Sequence, residues 1–278
     1  MTTTTTAPTS PASPTSPSAP AAAPPYRLTP RRVLRSEWHK LWTLRSTWIT
    51  LLSSSLMILG IGLTMGITYE AGGDDADMDV VVIVLIGMQL SQIAVAVLGI
   101  LCTAGEYANG MVRASMTAVP RRLPVLWAKA AAYTAATFLT TLGTVFATFL
   151  GAQVFLGDTE QAASLGDPGI LRALVGSAAA MALLGLTALA LGALLRSVPG
   201  AIGAFIGGVL LLPEVVSALP FDAVSDALRY FPTKVLQPIG SAQPVEDAVS
   251  PGVGLLALTL WALALLGLAS LRLKRRDV

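Results

Sequence analysis

LRALVGSAAAMALLGLTALALGALLRSVPGAIGAFIGGVLLLPEVVSAL, residues 171–219, holds two apolar runs, 171–195 and 198–219, separated only by Arg196 and Ser197. Each run is as long as the ~20 residues a helix needs to cross ~30 Å of hydrocarbon. Pro199 and Gly200 open the second run, so the pair reads as a tight helical hairpin. Outward from this hairpin lie four more runs of the same kind, at 47–68, 80–102, 130–156 and 253–271. The third is long enough to tilt or to protrude. The pattern predicts an all-α polytopic membrane protein with six transmembrane helices, occupying residues 29–278. Composition agrees: 54% of the 278 residues are hydrophobic and 12% are charged, against about 25% charged in a soluble domain.

Residues 1–25 are Thr, Ala, Pro and Ser after the initiator Met, without a charged side chain. Such a tract has too little to bury to offset the entropy of ordering, so residues 1–28 are expected to be a disordered low-complexity tail. They lack the basic start and apolar core of a secretory signal. Next comes TPRRVLRSEWHKLWTLRSTW, residues 29–48. Thr29 is a suitable N-cap and Pro30 a good first helical residue. Leu34, Trp38, Leu41 and Trp42 fall on one side at helical spacing, with Arg32, Arg35, Ser36, His39 and Thr43 on the other. A basic helix with a Trp/Leu stripe is expected to lie in the membrane interface, with Arg32, Arg35, Trp38 and Trp42 as its anchors.

Basic residues set the orientation, because Lys and Arg resist translocation. With the N-terminus inside, 15 of the 18 Lys and Arg residues fall on inner segments, leaving Arg172, Arg229 and Lys234 outside. This requires an even number of spans and places both termini in the cytoplasm. The first outer loop, YEAGGDDADMD, carries Glu70, Asp74, Asp75, Asp77 and Asp79. It lacks the twelve-residue calcium-loop pattern and reads as a solvated acidic loop. In the last outer segment, 220–252, Phe221, Val224, Leu228 and Phe231 recur at helical spacing among Pro220, Pro232 and Pro238, which predicts one or two short helices at the outer interface.

The spans are nearly free of ionisable groups, which proton- and ion-coupled transporters place at membrane depth. Glu214, after Pro213 near the outer end of the fifth span, is the one candidate for a pathway or gate; the alternative is a side chain reaching the outer surface. Gln89, Gln92 and Gln153 are expected to be interhelical glue. Two GxxxG spacings, Gly62 to Gly66 and Gly203 to Gly207, point to close helix packing within the chain ahead of a dimer interface. The single cysteine, Cys102, reads as a small buried hydrophobe and excludes an internal disulfide or a cysteine zinc cluster. No Gly-Lys dipeptide exists, hence no phosphate-binding loop, and there is no HExxH or GxSxG. His39 is the only histidine. No enzyme activity, bound cofactor or metal is expected of this chain, and a net charge of +2 does not imply nucleic acid.

The inner stretch CTAGEYANGMVRASMTAVPRRLPVLWAKA, residues 102–130, is the most informative. As a helix it puts Glu106, Asn109, Arg113 and Thr117 on one face and Tyr107, Met111, Ala114 and Ala118 on another. Val119-Pro120 ends it, Pro124 starts the third span, and Trp127 and Lys129 read as inner-interface anchors. Here the chain resembles the permease subunits of ABC transporters of the type-2 class, most closely small six-span permeases of actinobacteria. SEWHKLWTLRSTW, 36–48, is similar to the helix that leads into that family's first span, and GEYANGMVRASMTAVPRRLPVLWAKA, 105–130, to its inner loop. Glu106 and Gly110 match the family pattern of a Glu with a Gly four residues on, while Met111 stands where a Thr is frequent. The semi-helical segment before span six is the third likeness, and together they extend over 31–276.

The resemblance implies a coupling helix after span two that docks on a separate ATPase subunit, which carries ATP and Mg. It implies Glu106, Tyr107, Asn109, Gly110 and Arg113 as the contact positions. It also implies a second permease subunit, in a homodimer or heterodimer, in a bacterial plasma membrane, with export as the favoured direction. The competing readings are an ion-coupled secondary transporter and a non-transporting membrane sensor or assembly protein.

Overall fold

The computed structural model describes residues 29–69, 79–108, 122–218 and 226–275. Among these residues all regular structure is helical, and six helices are long and apolar enough to cross a membrane. The chain is a multi-pass transmembrane protein of the all-α class. Helix α1 covers Pro30–Thr43, α2 Arg45–Thr68, α3 Val80–Val84, α4 Met88–Ala108, α5 Arg122–Leu156 and α6 Ile170–Leu195. Helix α7, Val198–Gly203, runs through a π-helical stretch, Ala204–Leu211, into α8, Leu212–Ser217. A short α9, Leu236–Gly240, precedes the last span α10, Pro251–Arg275. The low-complexity tail of residues 1–28 lies outside the described residues.

Helix α6 is the hub, packed on α4, α5 and α10, and it is the most deeply buried of the six spans. Its small residues permit this. A Cβ at Gly185 would overlap Tyr133 of α5, and one at Gly192 would overlap Thr103 of α4. Without a hydrophobic drive between helices in lipid, close backbone approach and interhelical hydrogen bonds do the holding. Tyr133 Oη donates to Val95 O at 2.6 Å, and Thr103 Oγ1 donates to Leu189 O at 2.9 Å. On the outer surface α2, α5 and α10 expose Ile49, Leu52, Leu56, Leu139, Val154 and Leu260, as lipid-facing helices do.

All six runs read from the sequence are helical, with local differences. The run 80–102 is not one helix: α3 ends at Val84 and α4 begins at Met88. The break admits Gly87 against the backbone of Met57 and Ile58, where any side chain would collide. At its other end α4 continues through Glu106 and Tyr107 to Ala108, so those two residues belong to the span's last turns and not to a separate loop helix. Helix α5 starts eight residues earlier than the run at 130. Its 35 residues measure roughly 52 Å at 1.5 Å each, well beyond ~30 Å of hydrocarbon, so part of it protrudes.

The hairpin at Arg196–Ser197 is as compact as expected. Arg196 closes α6 in the left-handed conformation, φ 57°, and Ser197 caps α7 by accepting from Gly200 N at 3.3 Å. The π-helical stretch in the fifth span was not anticipated. Pro213 has no N–H to give to the turn before it; within that turn Val209 O accepts from Thr233 Oγ1 at 3.4 Å, and Leu212 N bonds five residues back to Gly207 O. Gly62 and Gly66 pack tightly on α5, as the spacing suggested. Nothing lies within 4 Å of a Cβ at Gly203 or Gly207, so packing within the described chain does not account for the second pair.

Candidate functional site

Helix ends gather at one face of the bundle: α1, the starts of α2, α5 and α7, and the ends of α4, α6 and α10. There, charges that lie up to 92 residues apart in the sequence form one buried cluster. Helix α1 turns Val33, Glu37 and Leu41 inward. Glu37 is 7% exposed, Glu106 at the end of α4 is 8% exposed, and Lys129 of α5 is 6% exposed. Lys129 Nζ lies 2.9 Å from Glu37 Oε2 and 2.7 Å from Glu106 Oε1. Lys40 Nζ also pairs with Glu106 Oε1. Two carboxylates and two ammonium groups thus neutralise each other and tie α1, α4 and α5 together.

Burying ions is expensive, and mutual attraction offsets it only where each charge is paired and hydrogen-bonded. This arrangement meets that condition and leaves no net charge. It sits close to the bundle's end: Lys129 is about 10 Å along α5 from Arg122 at 1.5 Å per residue. A cavity of about 190 Å³ adjoins it, bounded by Lys40, Leu44, Ser46, Cys102 and Gly105. Cys102 itself is buried among apolar side chains, as expected.

The next residue of α4 is held from another direction. The guanidinium of Arg196 lies 5.0 Å from the centre of the Tyr107 ring, a cation–π contact. Arg272 of α10 bonds Leu194 O at the end of α6. The last turn of α4 is therefore held by α1, α5 and the α6–α7 corner, and the chain leaves this clamped turn for the connection 109–121. Asn109, Gly110 and Arg113 lie in that connection, outside the described residues. Glu106 and Tyr107 do not present free side chains: the first is engaged in the cluster and the second lies against Arg196.

Helix α1 keeps its basic face outward, with Arg31, Arg32, Arg35 and His39 exposed, and Arg35 Nε donates to His39 Nε2 at 3.4 Å. The apolar stripe differs from the sequence reading. Leu34 is 40% exposed, while Val33 and Glu37 face the core. Trp38 and Trp42 are half-buried and stack edge to face at 5.7 Å. Trp48 continues the series 5.1 Å from Trp42 and donates from Nε1 to Trp42 O at 2.9 Å. These rings fix α1 to the start of α2. Lys129, read as an interface anchor, is instead interior; a lone Lys among apolar residues gives no sign in sequence of which carboxylates the fold will bring to it.

At the opposite end, Glu214 pairs with Lys234 at 2.8 Å, its side chain 60% exposed, while Pro213 is buried. This is the arrangement of a surface ion pair. Asp79 is not a freely solvated member of the acidic loop. Its Oδ1 caps α3 by accepting from Val81 N at 2.8 Å, and its Oδ2 accepts from Ser241 Oγ at 2.8 Å and Gln243 N at 2.7 Å. Arg172 reinforces the same clasp by donating to Ser241 O at 2.9 Å. Glu70, Asp74, Asp75 and Asp77 lie outside the described residues, as does Phe221. Among the described residues no three His, Cys, Asp or Glu side chains converge as a metal ion would need.

No protein-family model matches this chain, and no curated protein matches it.

Proposed function

We propose that this chain is the membrane-spanning subunit of an ABC-type transporter, coupled through residues 109–121 to a separate ATPase subunit. The observation that carries the reading is the clamped last turn of α4. A connection that receives a push from a soluble motor moves a bundle only if the helix end it leaves from is joined rigidly to several elements. Glu106 and Tyr107 supply those joints, to α1 and α5 through Lys40 and Lys129 and to the α6–α7 corner through Arg196. Free energy passes between sites only through contacts that differ between two states, and these are the contacts available. Glu106 and Tyr107 are then positioning residues, and Asn109, Gly110 and Arg113 the positions that meet the ATPase.

The charge distribution supports a cytoplasmic setting for the clustered face in a bacterial plasma membrane. Arg31, Arg32, Arg35, Arg45, Arg196, Arg272 and Lys274 lie at the α1 end, with Arg172, Arg229 and Lys234 at the other. The cluster is self-neutralised and near one end of the bundle. An ion-coupled carrier needs instead an unpaired titratable group at mid-depth. The chain works with a second permease subunit, and export is the favoured direction. Purification of the tagged chain from its own host in mild detergent tests the reading. The expected result is a stoichiometric companion with a phosphate-binding loop, lost on Arg113→Glu while the amount of chain in the membrane is unchanged. Vesicles in which the purified chain alone moves cargo down an ion gradient would overturn it.

A further inference from the structure

The basic residues at the α1 end of the bundle divide into those the protein uses internally and those it does not. Lys40 and Lys129 pair with Glu106, and Lys129 also with Glu37. Arg196 lies over the Tyr107 ring, and Arg272 bonds Leu194 O. Arg31, Arg35 and Arg45 are exposed and enter no ion pair among the described residues. The one acid of α1, Glu37, is turned into the bundle, so the outward side of this helix carries positive charge alone. Every exposed Lys or Arg of residues 30–49 is an arginine; the single lysine, Lys40, is the one held by the cluster. Arg31, Arg35 and His39 recur at four-residue steps and so form one ridge, along which Arg35 Nε donates to His39 Nε2. The flank beside the ridge is apolar, with Leu34 exposed and Trp38 half-buried. Helix α1 is joined to α2 by Leu44 alone, and the contact between the Trp42 and Trp48 rings holds the corner. From that corner Trp48, Ile49 and Leu52 face outward, so α2 enters hydrocarbon there and the ridge lies at the depth of the lipid headgroups.

We propose that the outward ridge of α1, together with Arg45, is a binding surface for anionic phospholipid. Guanidinium groups match phosphate oxygens two at a time, which a lysine ammonium does not, and the exposed cations here are arginines throughout. Their uncompensated charge selects an anionic headgroup over a zwitterionic one, whose own ammonium already answers its phosphate. An acidic protein surface would answer the arginines but not the apolar flank beside them. One lipid answers both, with its phosphate on the ridge and its acyl chains along Leu34, Trp48 and Ile49. Lipid binding by the chain itself is what is measured, so the outcome does not depend on coupling to an ATPase.

The test uses the full chain in phosphatidylcholine nanodiscs doped with phosphatidylglycerol or phosphatidylcholine probes that bear the same diazirine acyl chain and differ only in the head. Light is expected to place adducts on residues 31–49, with the phosphatidylglycerol probe favoured on the order of tenfold at low salt. The preference should shrink as salt is raised, because exposed charges are screened. Arg31→Gln combined with Arg35→Gln should lower it about fivefold or more, while Arg229→Gln at the opposite end should leave it unchanged. Equal labelling by the two probes would overturn the proposal, as would a preference that survives the double change or ignores salt. Displacement of the probe by soluble glycerol phosphate would mark a free-phosphate site instead. Cross-linking of residues 31–35 to a protein in place of lipid, in the complex purified from its host, would also overturn it. The two probes are compared on the unaltered chain, so that result stands even where the double variant does not fold.

Discussion

Lys129 illustrates how one side chain determines the character of a whole face. It is the only partner of Glu37 among the ion pairs described, whereas Glu106 keeps Lys40 when Lys129 is removed. Lys129→Met therefore strands a buried carboxylate, a change that costs on the order of 3–5 kcal/mol. The unfolding midpoint in mixed micelles should fall accordingly. Pairing the change with Glu37→Gln should recover part of the loss, since contacting residues are not additive. A Lys129→Met chain as stable as one bearing Lys274→Met on the exposed end of α10 would show that the cluster contributes nothing. None of this was legible in sequence. Glu37 sits between Ser36 and Trp38 in a stretch that reads as a basic interfacial helix, and only the rotation of α1 on α5 turns it inward.

At the scale of elements, glycines separate into those that set helix spacing and those that do not. A Cβ at Gly185 meets Tyr133 and Val95, while one at Gly143 meets nothing within 4 Å. Gly185→Ala should force α6 away from α4 and α5 and cost about 1–3 kcal/mol. Gly143→Ala should be neutral or stabilising by up to ~1 kcal/mol through helix propensity. Thermal melts of the two variants in one detergent check the difference, and equal melting temperatures would contradict the assigned packing. Gly62 and Gly66 lie against neighbouring helices and Gly203 and Gly207 do not, because GxxxG spacing marks where helices can approach and not whether a partner is there. The split of the second span is not legible for a similar reason: VVVIVLIGM, residues 80–88, is apolar throughout, and periodicity cannot register a turn inside an apolar run.

For the whole molecule, the described chain begins and ends on one face, with α1 and the end of α10 together. Under the proposed orientation that face is cytoplasmic. Cysteines placed singly at Ser36 and Gln243, in a Cys102→Ser background, should then differ in intact cells. A membrane-impermeant maleimide should label the second and spare the first until the cells are opened. The reverse pattern would invert the molecule and remove the ATPase from reach of residues 109–121. The six spans were readable because bilayer thickness translates directly into run length, and the distribution of Lys and Arg carries the proposed orientation.

Sequence alone determined that this is a six-span helical membrane protein, roughly where each span lies, and which face is basic. These follow from local quantities, the length of apolar runs and the position of charges along the chain. The buried cluster of Glu37, Lys40, Glu106 and Lys129, the grip of Arg196 on Tyr107 and the clasp of Asp79 were decided by tertiary structure alone. Each joins residues far apart in the chain or depends on how a helix is rotated about its axis, and neither is fixed until the helices pack.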